Sequence, residues 1–251
     1  MQARTPLTPP VPETGMVLAA GKGTRLRPLT DETPKPLMAV AGRSLLDRAI
    51  DRLEEAGVKT VVANVHYLSA TIENHLAKRA SPAIRISRED ALLETGGGVK
   101  KALPLLGANP FLVCNADTIW LNGPTNALHR LARAWDARRM DALLLIHMTV
   151  DAYGYNGPGD FLCGPDGRLG RRPEREVAPY VFTGVQILSP SLFQGLPEGP
   201  FSLNLVYDKA IALGRLFGVV HDGEWFHIGD IDGLKEAEAF LSVRYAGRMR
   251  R

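Results

Sequence analysis

The chain has 251 residues, 45% of them hydrophobic and 23% charged, with a net charge of only +3. That balance excludes a disordered, collagenous or disulfide-stapled chain and leaves room for one large α/β domain with a sizeable core. The basic residues are dispersed, no run is apolar enough to span a bilayer, and so neither nucleic acid nor membrane is expected as a partner.

Residues 1–15 carry Pro6, Pro9, Pro10 and Pro12 without an apolar core, which predicts a flexible extension rather than a signal peptide. The apolar run at 16–20 reads as a first, central strand. It feeds the turn Gly21-Lys22-Gly23-Thr24-Arg25, and Lys35 follows between Pro34 and Pro36. Glycines let successive backbone N–H groups approach an oxyanion, so the loop with Arg25 and Lys35 reads as a phosphate-handling site. Two nucleotide motifs are excluded. A dinucleotide fingerprint needs glycine where Leu26 stands, and a P-loop needs Ser or Thr after Lys22, where Gly23 stands.

Ser44 caps a predicted helix to about residue 56, with Leu45, Leu46, Ala49, Ile50 and Leu53 on one face and Gly57 ending it. A strand at 60–65, a helix at 69–79 and a strand at 83–87 follow. Glu94-Thr95-Gly96-Gly97-Gly98 is expected to precede a helix over 99–106. The strand at 111–114 carries Asn115-Ala116-Asp117 at its carboxyl end. A helix with Leu128, Leu131 and Trp135 inward leads to a strand at 141–148. Beyond residue 153 turn residues multiply, and short runs at 161–163 and 181–188 predict antiparallel strands. A helix at 202–213, a strand at 216–220 and a last helix over 234–245 complete the chain, with a basic tail at 246–251.

Strands alternating with helices at these spacings predict a Rossmann-like, doubly wound α/β fold, with a mixed, mostly parallel sheet. Ligands of such sheets lie beyond the carboxyl ends of the strands, where both the glycine loop and Asp117 fall. The division expected is one domain over 16–245, with a first part, 16–150, that carries the glycine loop and Asp117, and a second, 151–245, with a small antiparallel subregion. Cys114 and Cys163 form neither a metal spacing nor a disulfide framework, which points to a cytoplasmic protein. No heptad pattern is present, and the oligomeric state stays open.

The stretch from Leu18 to Thr30 with Pro34-Lys35-Pro36-Leu37 resembles the signature of sugar-1-phosphate nucleotidyltransferases. Glu94-Thr95-Gly96-Gly97-Gly98, Pro110 to Asp117, Gly157 to Phe161 and Phe182 to Val185 fall in that family's order, so the resemblance spans about 16–240. Within the family, length and the Leu93-to-Gly98 string look most like the uridylyltransferases of N-acetylmuramic acid 1-phosphate. Guanylyl, cytidylyl or thymidylyl transfer to another hexose or heptose 1-phosphate is the alternative, as is a silent nucleotide-sugar-binding protein.

The resemblance implies the nucleotide-diphospho-sugar transferase fold, an NTP and a sugar 1-phosphate as substrates, and magnesium (or manganese) as cofactor. It implies that Arg25, Lys35 and Asp117 are catalytic, and that Ala19, Ala20, Gly21, Gly23, Thr24 and Arg25 hold the nucleotide's phosphates. Glu94, Thr95, Gly96 and Gly97 would meet base or ribose, and Asn156, Asp160, Thr183 and Gly184 the sugar. Asp117 on its own reads equally as a turn cap and as a hard-cation ligand; the resemblance makes it the metal ligand. One position departs from the family. In Trp225-Phe226-His227-Ile228-Gly229-Asp230, His227 stands where a second metal-binding Asp is expected. Either magnesium relies on Asp117, phosphates and water, or His227 or Asp230 replaces the missing ligand, or catalysis has been lost. His227 is expected to take a direct role in the site, including a hydrogen bond to phosphate or to metal-bound water, with an ordinary packed histidine as the alternative.

Overall fold

The computed structural model describes residues 10–246, so the expected extension up to residue 9 and the tail from 247 lie outside the described residues. In chain order the elements are β1 (Thr14–Leu18), β2 (Ala39–Val40), β3 (Arg43–Ser44), α1 (Leu45–Glu55), β4 (Thr60–Val65), α2 (Ser69–Leu76) and β5 (Ala83–Arg88). Then come α3 (Glu94–Leu106), β6 (Phe111–Asn115), β7 (Thr118–Trp120), α4 (Ala127–Ala134), β8 (Ala142–Met148), β9 (Phe161–Cys163) and β10 (Leu169–Arg171). The last are β11 (Tyr180–Leu188), α5 (Leu203–Ala212), β12 (Leu216–Val220), β13 (Trp225–His227) and α6 (Ile231–Ala246).

Among the described residues nine strands form one sheet. Its spine runs β12-β8-β11-β6-β1-β4-β5, and β9 with β10 extends from the first half of β11. β6, β1, β4 and β5 are mutually parallel, as are β8 and β12; β11 runs against all three of its neighbours, β6, β8 and β9. This is the mixed, mostly parallel α/β sheet expected. Apolar side chains alternate between its faces: Val17, Val61 and Ala63 enter the core under α1, α2 and α4, while Met16 and Val62 enter the one under α3 and α5. Each such Val or Leu, fully buried, contributes about 1.5–3 kcal/mol.

Local causes explain where element ends differ from expectation. β1 stops at Leu18 rather than residue 20, because the Ala19 N–H turns to the side chain of Asn64 (2.8 Å). α2 stops at Leu76, three residues early, where Arg79 leaves the helix to bind Asp47 and Asp51. α3 begins at Glu94, five residues early, with all three glycines inside it. A Cβ on Gly96 would meet the Phe201 ring at 2.5 Å, and one on Gly97 the Gly199 carbonyl oxygen at 2.2 Å. Close packing of α3 on residues 199–201 thus outweighs the low helix propensity of glycine.

β11 places the site. Its second half pairs with β6, the register then shifts between Phe182 and Gln186, and its first half leans out to β9. Gly184 turns this bulge at φ 85°, a conformation an L side chain resists. The antiparallel β9–β10 hairpin is thereby held beyond the carboxyl end of β6. Across the crevice, β7 and β13 form a two-stranded ribbon that the sequence pattern did not reveal, packed on α6. No helix among the described residues is long and apolar enough to cross a membrane.

Candidate active site

The glycine loop is anchored from below by buried polar groups. Asn64 accepts from the Ala19 N–H and donates through Nδ2 to Glu89 Oε1 (2.7 Å); Glu89 Oε2 accepts from the Leu93 N–H (3.0 Å). Both side chains are almost fully buried, so an unmade bond here would carry the full desolvation cost. This relay ties the loop after β1 to the entrance of α3, and a Cβ on Gly98 would strike both partners (2.8 and 2.9 Å). Asn64 and Glu89 escaped the sequence reading. Their signal was a polar residue within the otherwise apolar run of β4 and an acid just beyond β5.

Gly23 adopts the left-handed conformation (φ 62°), and a Cβ there would stand 2.8 Å from the Cβ of Lys35. The Thr30 hydroxyl donates to the Gly23 carbonyl (2.9 Å) and fixes the turn. Among the described residues no acceptor meets the N–H groups of Gly21, Lys22 or Gly23. They stand as an unfilled anion cradle, with Thr24 and Arg25 exposed at its rim.

Lys35 is buried in a short 3-10 turn behind Pro34, and its Nζ donates to Asp117 Oδ2 at 2.8 Å. The 3-10 turn and β6 thus bring together a cation and a carboxylate that lie 82 positions apart. Asp117 is held on its other side by the Ile228 N–H, which donates to its backbone oxygen (2.9 Å), and by the pairing of Thr118 with His227. Burial would push the Asp117 carboxyl up, but Lys35 first, then His227 and Arg25, hold it below the usual carboxylate range. It is ionised at neutral pH.

His227 does reach the site. Its ring stacks on Trp225 (6.0 Å between centroids, 22°) and meets Tyr155 edge-on (6.2 Å). A Cβ on Gly229 would lie 2.5 Å from His227 Nε2 and 3.3 Å from Arg25 Nη1, so Gly229 lets the three groups close up. Burial, with Lys35 and Arg25 nearby, keeps the imidazole below its ordinary pKa against the pull of Asp117. Asp230 is engaged elsewhere: its Oδ1 accepts from the Gly233 N–H (3.0 Å) and caps α6. Among the described residues no group of three His, Cys, Asp or Glu converges as a metal cage.

A cleft of about 390 Å³ opens between these groups, lined among others by Ala19, Ala20, Gly21, Lys35, Glu94 and Asp117. Thr95 also lines it, although its hydroxyl is taken by the Leu203 N–H at the start of α5 (2.9 Å). Two expectations are corrected here. Gly96 and Gly97 do not present bare backbone to a base, because both are buried and both N–H groups donate to the Phe201 carbonyl (2.8 and 3.0 Å). Thr183 is fully buried and its hydroxyl donates to the Leu145 carbonyl (2.8 Å), so its side chain does not face a sugar. Gly184 lies against Asn115 at the cleft wall. Asp160 Oδ2 accepts from the Phe182 N–H (2.8 Å), and Asn156 is exposed in the turn before it.

Residues 14–243 match the family described as Nucleotidyl transferase. Over 236 residues the chain is 44% identical to the N-acetylmuramate alpha-1-phosphate uridylyltransferase of Caulobacter vibrioides, covering 92% of this chain and 98% of that protein. It is 37% identical over 234 residues to the protein of the same name from Neisseria meningitidis serogroup B, covering 91% and 98%. Among solved structures, a putative glucose-1-phosphate thymidylyltransferase from Bacillus anthracis superposes with a TM-score of 0.77 at 16% identity, over 91% of this chain and 95% of that one. That likeness is one of fold.

Proposed function

The chain belongs to the nucleotidyl transferase family, and we propose that it transfers a uridylyl group from UTP to N-acetylmuramic acid 1-phosphate, releasing pyrophosphate. The observation that carries this reading is the 44% identity to a uridylyltransferase of that sugar phosphate over 98% of the relative's length.

The residues of the cleft suit the chemistry. An oxygen of the sugar phosphate attacks the α-phosphorus of UTP; that O–P bond forms as the bond from the α-phosphorus to the bridging oxygen breaks, and pyrophosphate leaves with its electrons. The nucleophile is already an anion, so no general base is required, and positioning and charge stabilisation supply the catalysis. The N–H groups of Gly21 to Gly23 would cradle the triphosphate, and the planar fork of Arg25 would bind two of its oxygens. Lys35, held at fixed distance by Asp117, would face the α-phosphate where charge builds up. Glu94 and Thr95 stand at the nucleoside end of the cleft, and Asp160, Asn156 and Gly184 on the sugar side.

Asp117 would hold the magnesium. Lys35 occupies its Oδ2 and leaves Oδ1, one hard oxygen donor, which suits a cation that keeps several waters and binds mainly through substrate phosphates. Magnesium bound there supplies positive charge to the reacting phosphate oxygens. A neutral imidazole is a poor magnesium donor, so His227 would act by orienting water or phosphate rather than as a direct ligand. A cytoplasmic reaction accords with the unpaired Cys114 and Cys163.

The test is pyrophosphate release from each of the four NTPs with a panel of sugar 1-phosphates and magnesium. The pair UTP and N-acetylmuramic acid 1-phosphate should give the highest kcat/KM. Release that is highest with another base or another sugar would refute the assignment.

A further inference from the structure

The proposed acceptor differs from N-acetylglucosamine 1-phosphate by a lactyl ether that ends in a carboxylate. An enzyme that selects the acidic sugar therefore needs a cation on the sugar side, fixed in place and not already neutralised. The β9–β10 region offers four arginines. Arg168 pairs with Asp166 (2.9 Å) and Arg171 with Asp208 (2.7 Å), so the protein already balances both. Arg175 is exposed at a turn.

Arg172 is different. Its Nε donates to the Gly159 carbonyl (3.2 Å) and its Nη1 to the carbonyls of Pro173 (3.2 Å) and Glu176 (2.8 Å). Three neutral acceptors thus hold the guanidinium still without cancelling its charge. Among the described residues no carboxylate pairs with it, and its Nη2 has no protein acceptor. The backbone completes the placement, since the Arg172 N–H donates to the Asp160 carbonyl (3.1 Å).

That position is tied to the reaction centre through one aromatic ring. The Tyr155 hydroxyl accepts from the Gly159 N–H (3.1 Å) and feels the charges of both Asp160 and Arg172. The same ring meets His227 edge-on, with 6.2 Å between centroids, and His227 stands beside Asp117. Arg172 is thus bonded to the same Gly159–Asp160 segment that holds the Tyr155 hydroxyl, the segment assigned above to the sugar side. We propose that Arg172 binds the lactyl carboxylate of the acceptor and sets the preference for the acidic sugar over the neutral one. This rests on the functional reading above.

The experiment compares N-acetylmuramic acid 1-phosphate with N-acetylglucosamine 1-phosphate, at saturating UTP and magnesium, in the wild type, Arg172→Met and Arg172→Lys. A charge-assisted bond to a carboxylate predicts a fall of roughly 10- to 100-fold in kcat/KM for the acidic sugar with Arg172→Met, mainly in KM. The neutral sugar should lose far less, and Arg172→Lys should recover part of the discrimination. Equal losses with both sugars in a variant that melts like the wild type would overturn the assignment, because Arg172 would then only brace its loop. If Arg172→Met melts early, Arg172→Lys decides: discrimination as poor with Lys as with Met overturns it. A wild type inactive on the acidic sugar overturns the functional reading and the assignment together. Activity on it with no preference over the neutral sugar overturns the assignment alone.

Discussion

Two aspartates, the buried Asp47 and the half-buried Asp117, carry opposite lessons. Asp47, in the first turn of α1, has its oxygens filled: Oδ2 accepts from the Ser44 hydroxyl (2.7 Å) and meets His75 Nε2 (2.9 Å), and Oδ1 accepts from Arg79 (2.8 Å). Arg79 also serves Asp51 and Glu54, so acids outnumber the arginine they share. Among the described residues the Asp117 carboxylate accepts from Lys35 alone, Arg25 and His227 stand near it, and the N–H groups of Gly21, Lys22 and Gly23 in the facing loop lack acceptors. The first cluster is saturated within the protein and holds α1, α2 and the turn after α2 together. The second has a surplus of positive charge and unspent donors, an arrangement that suits the phosphate chain of the proposed substrate.

Removing charge from each cluster separates the two roles. Lys35→Met should lower kcat/KM for pyrophosphate release about a thousandfold, the scale of losing one transition-state donor, with little change in the urea midpoint. Asp47→Asn should do the reverse. It breaks a buried ion pair and should cost about 3 kcal/mol in urea unfolding at pH 7, while kcat stays within twofold of wild type, which is about no change in barrier. The pH dependence sharpens this. Burial opposes ionisation of Asp47, but Ser44, His75 and Arg79 together hold its carboxyl below the ordinary value. Its contribution is therefore complete above the unfolded pKa and is lost as pH falls through the folded one. Asp47→Asn should flatten that part of the acid limb.

A smaller effect concerns α3. Gly97→Ala gains helix propensity but drives a Cβ toward the Gly199 carbonyl, a backbone atom that yields little. It should cost about 2 kcal/mol of stability, with little change in the KM for UTP. A raised KM without loss of stability would return Gly97 to the nucleotide.

These pairings show what could be read from the chain alone. The spacing of apolar residues located β4 at Thr60–Val65 and the capped start of α1, because each element has a period and a clear boundary. That Gly21, Gly23, Arg25, Lys35 and Asp117 converge was legible from the strand-end rule, which puts residues beyond the carboxyl ends of β1 and β6 at one edge. The ribbon of β7 and β13 was not legible, since three residues carry no period. Nor was the relay of Asn64 and Glu89, which exists only through contacts across the fold. The glycines of α3 misled because their reason is tertiary: two pack against residues 199–201 and the third against that relay.

Arg25 tests the central claim most directly, because it contributes charge to the surplus cluster and makes no ion pair among the described residues that its removal would break. The measurement is calorimetric titration of UTP with magnesium into the wild type, Arg25→Met and Asp47→Asn. Affinity should fall roughly tenfold in Arg25→Met, the worth of one charge-assisted bond, and remain unchanged in Asp47→Asn. Arg25→Met binding UTP as tightly as the wild type would contradict the account.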